Sequence, residues 1–228
     1  MSSPTGLRER KRERTREAIS SAAISLFLAR GFDPVSVAEI AAAAEVSKPT
    51  LFKYFGSKED LVLHRIADHE AEAAGVLRSR SADEHPVDTL HRHFRSGLSR
   101  RDPVTGLNDH PEVLAFHGMV FGTPSLLARL ARYAERDEEA LAAAWQEPPG
   151  GTDPLTARLA AAQVVAIQRV LARRNWQRLV DGASADATYP VAVQEADRAF
   201  GLLRAVLATE AVVAGQAPCR LPAGPVSG

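Results

Sequence analysis

"SKPTLFKYFGSKEDL", residues 47 to 61, carries three of the chain's four lysines within fifteen residues: Lys48, Lys53 and Lys58. The fourth is Lys11, and every other basic residue is arginine. The same run holds Phe52, Tyr54 and Phe55, with Pro49 near its start. Ser47 offers an N-cap and Pro49 is tolerated in a first turn, so a short helix is expected to end near Phe55, broken by Gly56. Ser57-Lys58-Glu59-Asp60 then caps a long helix running to about Arg80.

Working outward towards the N-terminus, Ser36-Val37-Ala38-Glu39 is an S-x-x-E capping box, predicting a short helix through about Ala44. A tight turn at Glu45-Val46 separates the two short helices. Residues 8 to 30 read as a longer helix with Ile19, Ala23, Leu26 and Phe27 on one face, stopped by Gly31. Two short helices behind a longer one make a helix-turn-helix on a three-helix core. Ile40, Ala41, Val46, Leu51 and Phe55 can all face the first helix, leaving Lys48, Thr50, Lys53 and Tyr54 on outward or flanking faces.

In such a motif the second helix enters the major groove and its N-terminal residues meet base edges. Ser47, Lys48, Pro49, Thr50 and Phe52 are therefore the candidates for reading sequence. Lysine can donate to guanine O6 and N7, while threonine and ring edges can touch a thymine methyl. Ser36, Lys53, Tyr54 and Lys58 are the candidates for phosphate. Ser36 stands at a helix N-terminus, where free N–H groups favour an anion. Lys58 also stands at a helix start, where a cation opposes the dipole, and a phosphate lying between would offset that cost. Such contacts set register rather than sequence preference.

The run from about Arg14 to Val62, centred on "ARGFDPVSVAEIAAAAEVSKPTLFKYFGSKEDLV", resembles the TetR family of transcriptional regulators. The order of first helix, G-F, capped short helix, A-x-V-S, T-L-[FY]-x-[YH]-F and S-K-E-x-L is specific as a set. The resemblance implies that Lys48, Pro49, Thr50 and Phe52 face bases and that Tyr54 and Lys58 hold phosphates. It also implies a basic arm ahead of the first helix, which "RERKRER" (8–14) matches in character. The family usually has glycine where this chain has Glu45; a left-handed backbone there would cost glutamate on the order of 1 kcal/mol.

The remainder reads as all-α, with no period-2 strand pattern. Helices are expected over 86–98, about 112–118, 124–147, 154–182 and 190–214, with a loop at 147–154. The expected division is a helix-turn-helix domain at 1–56, a body at 57–215 for effector binding and dimerisation, and a disordered Pro/Gly-rich tail at 216–228. The family resemblance implies a homodimer joined by the last two helices. Their apolar faces would carry Leu159, Ala166, Val170, Ala196, Ala199, Phe200, Leu203, Val206 and Leu207. It also implies a pocket among the middle helices for an unknown small-molecule effector, with Phe94, Phe116, Met119, Phe121, Trp145, Gln168 and Trp176 as candidate lining residues. Aromatic residues at helical spacing are more often plain core, since cores need bulk wherever helices meet.

The net charge is zero over 228 residues, yet residues 1 to 58 carry +4 and the remainder −4. A basic end on an acidic body suits contact with a polyanion at one end only. No uninterrupted apolar run approaches the roughly 20 residues that cross a bilayer, so no membrane partner is expected. The N-terminus has no apolar h-region, and a single cysteine, Cys219, suits a cytoplasmic setting. His91 and His93 point about 200° apart on a helix, and His64 and His69 are five apart, so neither pair suits a metal. His110 and His117 flank a proline-started helix and could be polar groups of the pocket. No phosphate loop, nucleophile elbow or metal-ligand set is present, so no enzyme activity and no cofactor are expected. The reading is therefore a ligand-responsive repressor of double-stranded operator DNA. The alternative is a helical small-molecule binding protein without DNA activity, to which only Glu45 lends support.

Overall fold

The computed structural model describes residues 4–67, 71–81, 83–147 and 152–215, and among them every regular element is helical. Helix α1 (Pro4–Arg30) ends at Gly31, whose φ of 86° lets its N–H reach the Phe27 carbonyl at 2.8 Å. The basic stretch 8–14 is thus the exposed opening of α1 rather than an arm ahead of it. Helix α2 (Val37–Ala43) starts with the capping box in full. Ser36 Oγ accepts from the Glu39 N–H at 3.3 Å, and the Glu39 carboxylate accepts from the Ser36 N–H at 2.8 Å. That backbone donor, with Arg30 at 2.8 Å, pulls the Glu39 carboxyl down to about 2.

The α2–α3 turn is a Schellman motif: Val46 N–H bonds to the Ala41 carbonyl and Glu45 N–H to the Ala42 carbonyl. Its left-handed position, where glycine is usual, is Glu45 at φ 54°. Helix α3 (Lys48–Tyr54) follows, then α4 (Lys58–Ala67). The single helix expected from 57 to 80 is broken. Ala71 is left-handed at φ 62°, and a separate α5 (Glu72–Arg78) starts after it.

Helices α6 (Pro86–Ser99), α7 (Pro111–Gly122), α8 (Pro124–Gln146), α9 (Pro154–Val180) and α10 (Ala185–Gly215) build the body. Helix α7 is a turn longer than its sequence pattern suggested, and α10 begins five residues early, with Pro190 inside it, where the helix forgoes one i→i−4 hydrogen bond. Between α6 and α7 a 3₁₀ turn (Pro103–Thr105) lies hard against α9. A Cβ on the following Gly106 would stand 1.9 Å from the Ala172 carbonyl oxygen, so only glycine permits this approach. Residues 216–228, expected as a tail, lie outside the described residues, as does His69.

Two hydrophobic cores divide the molecule. The first joins Ile19, Phe27, Ile40, Leu51 and Phe55 of the head with Leu61, Val62 and Leu63 of α4, and continues into Val120, Leu126 and Tyr133. The head's packing therefore runs past residue 56 into α4 and onto the underside of the body. The second core gathers Leu77, Leu90, Phe94, Trp145, Val164 and Phe200 from α5, α6, α8, α9 and α10. Helix α9 is long and apolar enough on average to cross a bilayer, a feature the residue-by-residue scan did not show because arginines interrupt its apolar runs. Its apolar residues divide between this core and an exposed outer face.

Candidate nucleic-acid interface and effector cavity

Leu51 and Phe55 are buried and hold α3 against the head core, which fixes what α3 turns outward. Lys48, Pro49 and Lys53 are exposed, and Phe52 leaves half of its surface, 51%, uncovered. The uncovered half of the Phe52 ring is apolar surface of the kind that packs on a thymine methyl. Thr50 and Tyr54 are half-buried beside them. Ser47 Oγ accepts from the Thr50 N–H at 3.2 Å and lies 2.8 Å from the Thr50 hydroxyl. The Ser47 hydroxyl serves the cap and pairs with that of Thr50.

Ser36 is exposed at the start of α2, its hydroxyl used in the capping box. Lys58 is half-buried at the start of α4. Its ammonium turns back to the α1–α2 loop, 2.5 Å from the Phe32 carbonyl oxygen and 3.1 Å from that of Asp33. It lies 4.4 Å from the Phe32 ring centre and 5.5 Å from that of Phe27. The cation at the helix start is compensated by these carbonyls and ring faces, and Glu59 and Asp60 supply the acids the dipole favours.

One head–body link had no signal in the sequence. Asp60 of α4 accepts from Arg129 of α8 through both oxygens, at 2.8 and 3.1 Å, and from the Tyr133 hydroxyl at 3.3 Å. The two partners are 69 and 73 residues away, beyond any local pattern.

Beneath the head a cavity of about 850 Å³ opens between α1, α4, the 3₁₀ turn, α7, α8 and α9. Of the residues expected to line a pocket, Phe116 and Phe121 do so. Trp176 stands one layer behind, its ring edge-on to Phe121 at 5.0 Å and its Nε1–H donating to the Leu114 carbonyl at 3.3 Å. Phe94 and Trp145 belong to the body core instead, and Met119 packs against the head core. Gln168 is not on the wall. Sequence reasoning missed the contribution of α1, including Ser21, Ile24, Ser25 and Leu28, because these were read only as head. His117 does line the cavity, stacked on Phe121 at 5.7 Å, and burial lowers its pKa to about 4. His110 is exposed and lies outside the cavity wall.

The remaining histidines are separately engaged: His91 with Asp197 at 2.8 Å and His93 with Glu72 at 3.3 Å. Among the described residues no group of three or more His, Cys, Asp or Glu side chains is placed to hold a metal ion.

On the outer side of the body, Leu159 and Val170 of α9 and Val206 of α10 are exposed, together with Leu155 and Leu202, which the sequence reading did not name. Ala166, Ala199 and Leu207 are half-buried beside them. Ala196, Phe200 and Leu203 are instead buried in the body core, because α10 turns that face towards α6 and α9.

The family profile described as bacterial regulatory proteins, tetR family, matches residues 19–64. The HTH-type transcriptional regulator TcmR of Streptomyces glaucescens is 35% identical over 176 residues, covering 76% of this chain and 78% of that protein. A putative mycofactocin biosynthesis transcriptional regulator, MftR of Mycobacterium tuberculosis, is 43% identical over 68 residues, 30% of this chain and 34% of its own. Among solved structures, a TetR-family regulator from Mesorhizobium loti superposes with a TM-score of 0.52 at 20% identity, covering 86% of this chain and 97% of that one. NalD of Pseudomonas aeruginosa, a repressor of a multidrug efflux pump, gives 0.53 at 18% identity, covering 82% and 96%. These two likenesses establish the shared fold.

Proposed function

Because the chain belongs to the TetR family of bacterial regulatory proteins, whose members are helix-turn-helix transcriptional regulators, we propose that it acts in the cytoplasm as a homodimeric repressor released by a small molecule. The observation that carries the DNA reading is α3 itself. It is pinned from behind by Leu51 and Phe55 and presents Lys48, Pro49 and Phe52 outward, exposed to solvent. In this reading Ser47, Lys48, Pro49, Thr50 and Phe52 face bases, and Ser36, Lys53 and Tyr54 grip phosphate. Lys58 acts through the loop it ties down.

The exposed apolar residues of α9 and α10 support two-fold pairing of bodies, since Leu159, Val170, Leu202 and Val206 leave apolar surface that a second copy would bury. A two-fold dimer reads a pseudo-palindrome whose half-sites lie about 34–36 Å apart, or a multiple of that. The cavity is the effector site of this reading. Its walls belong partly to α1, so an occupant with unequal affinity for two head positions shifts the balance between them.

Electrophoretic shift of DNA from the region upstream of the protein's own gene tests this. A retarded band that survives excess unrelated DNA is expected. No specific shift at moderate salt would overturn the repressor reading and leave a binding protein without DNA activity.

A further inference from the structure

The head rests on the body chiefly along two seams, α4 on α8 and α1 on α7. Different forces hold them. In the first, Asp60 accepts from Arg129 through both oxygens and from the Tyr133 hydroxyl, over a core shared by Leu61, Val62 and Leu126. The second is apolar packing, with Phe116, Met119 and Val120 of α7 against the head core. The cavity opens between the seams, and Phe116 and Val120 belong to its wall as well.

Helix α1 supplies Ser21, Ile24, Ser25, Leu28 and Ala29 to that wall. Their spacing of i, i+3, i+4, i+7 and i+8 is one face of a helix, a stripe about 12 Å long at 1.5 Å per residue. Ile19, Ala23 and Phe27 of the same helix sit in the head core. One element thus has a face in the head and another on the cavity. Its end is bound to the helix-turn-helix: Arg30, next to Ala29, meets Glu39 at 2.8 Å, and Glu39 closes the α2 capping box. Of α4, only Ile66 among the described residues reaches the wall.

We infer that the two seams form a hinge: the Asp60 contact is the pivot, and an occupant of the cavity bears on the α1 stripe and parts α1 from α7. The inference rests on the cavity being the effector site and names how that site is read. The α1–α7 seam is the one that yields, because an occupant buries the surface of Phe116 and Val120 that the seam gives up. The carboxylate–guanidinium pair at Asp60 is directional and keeps its geometry. Since the head shares one core from Ile19 to Phe55, it turns as a unit.

Distances between spin labels in the full-length protein test this, in a Cys219→Ser background. Labels at Ala38→Cys and Ala115→Cys span the α1–α7 side, and labels at Ala38→Cys and Ala131→Cys span the α8 side; all three positions are exposed. Labelled chains are diluted into unlabelled protein, so each distance lies within one chain. Ser25→Trp fills the cavity from α1, and Val113→Trp fills it from α7. Each should lengthen the first distance more than the second and weaken binding to the shifted DNA fragment at least tenfold. Either variant serves alone if the other folds poorly. Unchanged distances in a folded variant, or equal lengthening of both pairs, would overturn the hinge. So would a lengthening with Ser25→Trp that a folded Val113→Trp does not reproduce, since that marks strain in α1 rather than occupancy. A parent protein that shifts no DNA would overturn the repressor reading, and the label distances alone would then decide the hinge.

Discussion

The Lys58 ammonium lies 2.5 Å from the Phe32 carbonyl oxygen and 4.4 Å from the centre of the same residue's ring. One side chain at the start of α4 thus closes the loop between α1 and α2, and holds α2 in place behind the recognition helix. Lys58→Met keeps the apolar stem and removes the charge. It should lower stability by about 1.5–3 kcal/mol in urea unfolding, the range of a hydrogen bond to a charged group. DNA affinity should fall on every sequence, with the salt dependence unchanged. A slope reduced by about 0.9 per lost contact would instead show that Lys58 grips phosphate.

In the proposed reading, Lys53 grips phosphate and Thr50 faces a base, so the two separate the kinds of DNA contact. Lys53→Ala should weaken binding to all sequences and flatten the salt dependence, as loss of a phosphate contact does. Thr50→Ala should change which operator bases are preferred while leaving the slope intact. Fluorescence anisotropy over a salt series, on cognate and substituted operators, reads both.

Glu45 holds a left-handed conformation at φ 54° in a Schellman turn. Glu45→Gly should raise stability by about 1 kcal/mol, because glycine meets no Cβ penalty there. The same change removes an acid close to the proposed DNA face, so affinity should rise, more at low salt than at high. Urea unfolding and anisotropy together check the two effects.

The Asp60–Arg129 pair joins the head to the body, with Asp60 nearly buried. In a double-mutant cycle of Asp60→Asn and Arg129→Met, the coupling should be about 1–2 kcal/mol, within the range for residues sharing one network. Additive behaviour would show that the pair is held apart in solution.

His117 gives stability a pH dependence. Its folded pKa is lowered to about 4 by burial, against an unfolded value near 6.5. Below about pH 6.5 the unfolded chain takes up a proton that the folded one refuses, so stability is full above that value and declines as pH falls towards 4. Glu112 and Arg169 line the same cavity. Thermal unfolding between pH 7 and 4 should show a shallower decline in His117→Phe than in the parent.

The head was legible because its signals are local. The Ser36–Glu39 box, the Ser47 cap and the Gly31 stop each act within a few residues, and all three appear where the pattern put them. The contacts of Lys58 with Phe32 and Asp33 had no local signal, because those partners lie a loop and two helices earlier in the chain. The break at Ala71 was hidden because no Gly or Pro marks it. In the body, periodicity predicted helices but not which apolar face turns inward. Phe200 and Leu203 pack in the subunit while Leu202 beside them faces out. Of the cavity residues, Phe116 and Phe121 were found by bulk and His117 by its place on α7, whereas Ser21 and Ser25 carry no sign that a body would pack on them.

Selection of genomic fragments by the full-length protein, followed by sequencing of what is retained, tests the central claim most directly. The account predicts a small set of enriched fragments sharing a pseudo-palindrome, with half-sites about 34–36 Å apart or a multiple of that spacing. Recovery of fragments in proportion to their input, or of a shared motif without two-fold symmetry, would contradict it.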